Sequence, residues 1–370
     1  MNKQRSTRAA LVRFAQLATA SAAFALLAAC GGGGGGDDNN STPPGGVKLQ
    51  VVSFGDSLSD VGTYSPVAAA NFGGGRFTTN PGQVWVQDVA QYYGDTLTPA
   101  MTGGFGAAPV TQAGLGYAQG GSLVTNPIGI NHVSTDPANY TGALTVPIVQ
   151  QLQNYLTAHG SFNSNQLVIV NGGGNDILYN FQLAVAGAIT PAQASAAIGK
   201  AAIDLAGVIG KVVQSGATHV LVSNVPDIGT TPQGMMSSAA NRALLTQASL
   251  GFNQALAAAL TQTGLMSKVI YLDIVPVLAN VTANFRQFGF AVSNTGTACN
   301  LQAMAAAAQK FGEPNPQAFA TSLFCSPETL TVAGADQTYM YADTVHPTTH
   351  LGALYAQAAE QAVAKAGLGK

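Results

Sequence analysis

Apolar positions along the chain fall into two alternating rhythms. Short, near-continuous apolar runs recur at residues 49–54, 167–171, 219–225 and 269–274. Each has strand length and several β-branched residues, the pattern of strands buried on both faces. Between them, apolar residues return at helical spacing. Residues 84–93 are amphipathic, and 146–158 carry Ile148, Val149, Leu152, Tyr155 and Leu156 on one stripe. The helical patterns at 194–213 and 238–260 are longer. The second repeats Leu245, Ala248 or Ser249, Phe252, Leu256 and Leu260. Strands alternating with helices predict an α/β fold, a mainly parallel sheet covered on both faces. Two stretches break the rhythm, 95–145 and 282–343, the first rich in Gly, Thr, Asn and Pro. Both are long for connections in a compact domain, and are expected to wall or cover a site.

A third pattern opens the chain. Lys3, Arg5, Arg8 and Arg13 precede an apolar run over 14–29, short of the roughly 20 residues a spanning helix needs. It ends in Leu27-Ala28-Ala29-Cys30. Small residues before a cut point mark a secretory signal, and a Cys in that place resembles the lipobox of bacterial lipoproteins, in which the Cys carries lipid. An ordinary signal would leave Cys30 incidental. Residues 30–46, mostly Gly, Asp, Asn, Pro, Ser and Thr, hold no core-forming side chain. They read as a flexible tether of roughly 20 Å. The expectation is a signal at 1–29, a tether at 30–46 and one α/β domain at 47–370, exported and attached to a membrane of the cell envelope through Cys30.

That division changes the charge. The whole chain has 14 basic and 16 acidic residues; without 1–29 the balance is 10 against 16, a net of −6. Nothing in it offers an electrostatic footprint for nucleic acid. Of three cysteines, Cys299 and Cys325 remain once Cys30 is assigned to lipid. In an oxidising compartment they are expected to form a disulfide worth roughly 3 kcal/mol; the alternative is two separate buried thiols. No C-x-x-C spacing points to a metal site.

Candidate chemistry gathers where elements end. Ser57 follows the run at 49–54 and the turn at Gly55, at the carboxyl edge where α/β sheets keep their sites. Asp56, Ser57 and Ser59 also suit plain helix capping. Gly121, in a Gly-rich turn at 116–122, offers a backbone N–H. Asn175 follows the apolar run 167–171 and a Gly-rich turn, and offers a side-chain amide or a helix cap. Asp343 and His346 lie three residues apart, with Pro347 expected to begin the last helix at its first position. Acyl transfer through serine requires a base, a carboxylate to orient it, and donors where charge builds on the carbonyl oxygen. These residue types supply all three. Other classes fit poorly: no G-x-S-x-G elbow and no H-E-x-x-H occurs, and nucleotide-binding signatures do not match the glycine-rich turns. His132, His159, His219 and His350 stand apart and read as structural or surface residues.

Gly55-Asp56-Ser57-Leu58-Ser59-Asp60, the Gly121 turn, Gly173-Gly174-Asn175-Asp176 and Asp343-x-x-His346 resemble the four blocks of the GDSL, or SGNH, hydrolase superfamily, in its order. Gly75-Arg76-Phe77-Thr78 and Val84-Trp85-Val86 resemble a segment of its lipase and esterase branch. The resemblance implies a three-layer α/β/α, flavodoxin-like fold and an ester hydrolase without a cofactor. It implies Ser57 as nucleophile, His346 as base, Asp343 as its orienter, and Ser57, Gly121 and Asn175 as oxyanion donors. Two positions depart from the family pattern: Gly116 stands where Asn is usual, and Ala342 where an aromatic is common. Among substrates, an uncharged ester leads, ahead of a phospholipase A or lipid acyltransferase activity and then glycan deacetylation. A surface-tethered binding lipoprotein is the non-enzymatic alternative.

Overall fold

The computed structural model describes residues 42–312 and 315–370. Cys30, the expected signal at 1–29 and most of the expected tether at 30–46 lie outside them. In chain order the elements are β1 (Gln50–Phe54), α1 (Ser65–Phe72), α2 (Trp85–Tyr92), β2 (Met101–Gly104), β3 (Ala107–Thr111), α3 (Ile148–His159), β4 (Gln166–Val170), α4 (Gly174–Val185), α5 (Pro191–Gln214), β5 (His219–Ser223), α6 (Pro232–Met236), α7 (Ala239–Gln262), β6 (Ile270–Leu272), α8 (Ile274–Ala283), α9 (Leu301–Phe311), α10 (Ala335–Thr338) and α11 (Thr349–Lys365).

The four apolar runs become β1, β4, β5 and β6, paired in that order and all parallel. On the free side of β1, Ser53 bridges Gly116, with Ser53 N donating to Leu115 O at 3.1 Å and Tyr117 N to Ser53 O at 2.8 Å. Counting that short segment, the order is the flavodoxin-like 2-1-3-4-5. Alternate side chains serve opposite faces. Val52, Phe54, Val168, Val170, Val220 and Val222 pack under α3, α5 and α7. Val51, Leu167, Ile169, Leu221 and Leu272 pack under α2 and α11. Each such burial contributes roughly 1.5–3 kcal/mol, and together they make the three layers expected from sequence.

Helix ends follow local chemistry. Thr190 and Gln193 cap each other at α5, Ser238 Oγ accepts from Asn241 N at α7, and Thr348 Oγ1 accepts from Leu351 N at α11. Along α7, Leu245, Ser249, Phe252, Leu256 and Leu260 are all buried.

Three expectations need correction. Val149 is 43% exposed, because α3 begins only after Pro147 and turns that position outward. Pro347 does not begin α11; it precedes the cap residue Thr348 and bridges Tyr341. The third concerns the expected tether at 30–46, within which Gly45 already packs on the domain. Gly45 is buried, and a Cβ there would sit 2.7 Å from the Tyr93 ring. Gly45 N donates to Tyr92 O, and Lys370 N donates to Gly45 O at 3.0 Å, so the last residue is stitched to this turn.

The two irregular stretches contain the β2–β3 hairpin, α9 and several single 3-10 turns. Cys299 and Cys325 are bonded as a disulfide across the second.

Candidate active site

Ser57 opens a 3-10 turn directly after β1, with Asp56 capping it by accepting from Leu58 N. The turn is held from behind by side chains far along the chain. Gln151 of α3 clamps Gly55 on both sides: its Oε1 accepts from Gly55 N at 2.9 Å and its Nε2 donates to Gly55 O at 2.8 Å. Asn171, just past β4, donates to Asp56 Oδ1 at 2.9 Å and accepts from Ser59 Oγ at 2.5 Å. Burial raises the pKa of Asp56, against the pull of these donors.

Ser57 Oγ lies 2.8 Å from His346 Nε2, across 289 residues of sequence. On the far side of the ring, His346 Nδ1 lies 2.7 Å from Asp343 Oδ2. An ionised carboxylate only accepts, so Nδ1 carries the ring proton and Nε2 is left to receive one from Ser57. Burial alone would push Asp343 up. The nearby His346 ring and the N–H groups of Val345 and His346 outweigh it, and hold the carboxyl below the usual range. A hydroxyl paired with an imidazole that rests on a buried carboxylate is ready to give up its proton.

The loop bearing both residues is tight. Ala342 N donates to His346 O at 2.8 Å, closing it. The segment singled out after the first block supports it: Phe77 packs on the His346 ring, centroids 4.9 Å apart, and Thr78 Oγ1 donates to Pro347 O at 3.0 Å.

Gly121 and Asn175 face the same cavity as Ser57 and His346. Gly121 has φ +82°, and a Cβ would fall 2.2 Å from Ile130 O, so only glycine fits. Its neighbour Gly120 donates to Asp60 Oδ2 at 2.8 Å and accepts from the Tyr64 hydroxyl at 2.7 Å. Asp60 also accepts from Gly62 N and Thr63 N. This bracing from Asp60 and Tyr64 answers the departure at Gly116, where a Cβ would meet Val61 at 2.4 Å. Asn175, in the first turn of α4, gives one amide proton to Ser122 O at 3.0 Å, which aims the group and leaves its second proton. Ser57, Gly121, Asn175, Asp343 and His346, the five residues singled out in the sequence, all line this cavity. The sequence reading gives no role to Gln151, Asn171, Asp60 or Tyr64, whose only signal is a polar residue on an otherwise apolar face or strand end.

The cavity measures about 230 Å³. Phe77, Phe105, Ile130, Leu178, Val225 and Leu323 line it, and among the described residues no Lys or Arg does. Phe105 turns the β2–β3 hairpin at φ +53°, a conformation bulky residues avoid. Its ring is held edge-on by Tyr64 and Phe324, each 5.3 Å away.

His132, by contrast, is tied by its two ring nitrogens to Ala143 O and Asp136 O, and His350 to Gln337 O. Both are structural.

Comparison with known proteins agrees with this geometry. The chain is similar to an "Uncharacterized protein in trpE-trpG intergenic region" of Pseudomonas putida, 27% identical over 258 residues. The match takes in 65% of this chain and 38% of that protein, so it spans well under half the relative's length. The family model for GDSL-like lipases and acylhydrolases matches residues 51–358, from β1 through most of α11. With the blocks in order, the sheet in the expected topology and the matched span covering most of the chain, this protein belongs to the GDSL-like lipase/acylhydrolase family.

Proposed function

We propose that the enzyme is a carboxylesterase or lipase that works through an acyl-Ser57 intermediate. His346 Nε2 takes the Ser57 proton as Oγ attacks the ester carbonyl. Negative charge on the carbonyl oxygen is met by N–H groups of Ser57 and Gly121 and by the Asn175 amide. Collapse breaks the ester C–O bond, and His346 returns the proton to the departing alcohol. Water then enters, gives a proton to His346, attacks the acyl carbon, and releases the acid with the Ser57 hydroxyl restored. Asp343 keeps the ring in one tautomer and stabilises its cationic form. The observation that carries this reading is the unbroken hydrogen-bonded series Ser57–His346–Asp343 at the floor of an apolar cavity.

The lining favours an uncharged ester with an apolar acyl chain. A phosphodiester would lie there without a cation to pair with, which puts phospholipids behind neutral esters. The test is a panel of p-nitrophenyl and glyceryl esters of several chain lengths, beside phosphatidylcholine and acetylated xylan. Highest kcat/KM on a neutral ester is expected; preference for phospholipid or acetylated sugar overturns the substrate assignment. A fluorophosphonate should label the wild type and spare Ser57→Ala.

We also propose that Cys30 is lipidated and attaches the enzyme to a membrane. The support is the run Leu27-Ala28-Ala29-Cys30. Cys30→Ser should move the protein from the membrane fraction to the soluble one; unchanged fractionation would rule the anchor out.

A further inference from the structure

The second departure from the family pattern, Ala342, has a structural counterpart. Its methyl is fully buried beside the Cys299–Cys325 disulfide and Met304. The small residue leaves room for the sulfurs next to Asp343.

Both disulfide arms are hydrogen-bonded to the segment that carries Asp343. On one side, Ala298 N donates to Tyr341 O at 2.8 Å and Cys299 N to Ala342 O at 2.9 Å, so the chain ahead of the disulfide pairs with the residues leading into Asp343. On the other side, Ser322 N donates to Asp343 Oδ2 at 2.6 Å, the same oxygen that faces His346 Nδ1. Ser322 opens a short 3-10 turn that ends at Phe324, and Cys325 N returns to Ser322 O at 3.0 Å. Asn80 Nδ2 donates to the same carbonyl at 3.0 Å, and Gly75 N donates to Leu323 O at 2.8 Å.

We propose that the Cys299–Cys325 disulfide is a positioning element of the active site, which keeps the Ser322 N–H on Asp343 and so fixes the carboxylate against His346. The inference rests on Asp343 being the residue that orients His346. The chain leaves the neighbourhood of Asp343 at Cys299, and the disulfide brings it back at the turn whose N–H meets Oδ2, the oxygen on His346 Nδ1, while Oδ1 is held by Val345 N and His346 N. Ser322, Cys325 and Asp343 are all buried, so no water replaces that donor if the turn drifts. With Oδ2 short of its outside donor, the carboxylate can turn about its Oδ1 contacts and no longer holds one imidazole geometry, and an offset of about 1 Å in such a group costs on the order of 100-fold in rate.

The test compares the double variant Cys299→Ala/Cys325→Ala with wild type and with Asp343→Asn, well below their unfolding temperatures. Substrate is p-nitrophenyl butyrate, and the low-field proton resonance of the His346–Asp343 hydrogen bond is followed by NMR. The double variant should lose on the order of 100-fold in kcat, with KM within about twofold and the resonance weakened or lost. A disulfide that serves stability alone would lower the melting temperature and leave kcat and the resonance as in wild type, which overturns the proposal. Should the double variant not fold, Ser322→Pro decides with the disulfide intact. Ser322 opens its turn and Thr321 before it is extended, at φ −129° and ψ 153°, a setting that accepts proline. The ring removes the N–H, and the same loss of kcat and resonance is expected; wild-type values overturn the proposal. If Asp343→Asn keeps full kcat, the reading of Asp343 fails and the brace with it. If only Asp343→Asn is impaired, the brace alone fails.

Discussion

The two halves of the active site are held by different means. Ser57 sits at the end of a central strand, and the turn that carries it is pinned by Gln151 and Asn171, which belong to elements packed on the same sheet. Asp343 and His346 sit on a loop with no main-sheet strand beneath them. Short backbone bridges, the Phe77 ring, Thr78 and the disulfide-closed excursion hold that loop. The first half inherits its rigidity from the core. The second assembles it from cross-links between distant loops, so it is the half where small changes should alter geometry before they alter folding.

The comparison can be broken most sharply at its centre. Ser57→Ala removes the shared hydroxyl and should lower kcat on the order of a millionfold, as in other serine triads; steady-state hydrolysis with active-site titration checks this. Asp343→Asn touches only the loop half and leaves Ser57 and His346 present. It should cost on the order of ten-thousandfold in kcat, and a loss under tenfold would show that His346 is held without it. Gly121→Ala forces a Cβ to within 2.2 Å of Ile130 O, displacing the donor. Loss of one such donor is worth about 100- to 1,000-fold in kcat, with little change in KM.

Gln151→Leu sharpens the contrast from the sheet side. It leaves Gly55 N without an acceptor in a buried place, while Gly55 O keeps Gln119 N, and should lower stability by about 2 kcal/mol, read from urea unfolding. Here fold and activity should fail together, unlike in loop-half variants.

The smallest effect concerns α2 and α11, which flank the loop half. Burial raises Glu360 to about 7, with Asp88 nearby adding to it, and burial raises Asp88 to about 6. Folded-state values above the unfolded ones mean that the neutral forms favour the fold. That contribution is complete below the unfolded carboxyl range and is lost as pH rises through 6 to 7. Glu360→Gln should flatten the fall in melting temperature between pH 5 and 8; an unchanged slope would show that the group does not titrate there.

The same division explains what the sequence reveals. Strands buried on both faces need unbroken apolar runs, so β1, β4, β5 and β6 are visible directly, as is the α7 stripe from Leu245 to Leu260. The candidate residues Ser57 and Asn175 are visible because they follow the β1 and β4 runs, and Asp343 and His346 because their three-residue spacing stands just before the last helix. Val149 misleads because apolar spacing near Pro147 does not say where the helix begins. Phe105 at the hairpin tip is hidden, since its placement depends on the rings of Tyr64 and Phe324, and no local period reports that contact. Gln151 and Asn171 are hidden for a related reason: a buried amide looks like any polar residue until its partner, 96 or 115 positions away, is known.

The stitching of Lys370 to Gly45 has a consequence of its own. β1 runs from this corner toward Ser57, so Gly45 and Lys370 meet at the end of the sheet away from the cavity. A short linker could therefore close the polypeptide into a ring there without approaching the substrate, and new ends could be cut in an exposed loop elsewhere. Cargo fused at that corner would leave the cavity mouth clear.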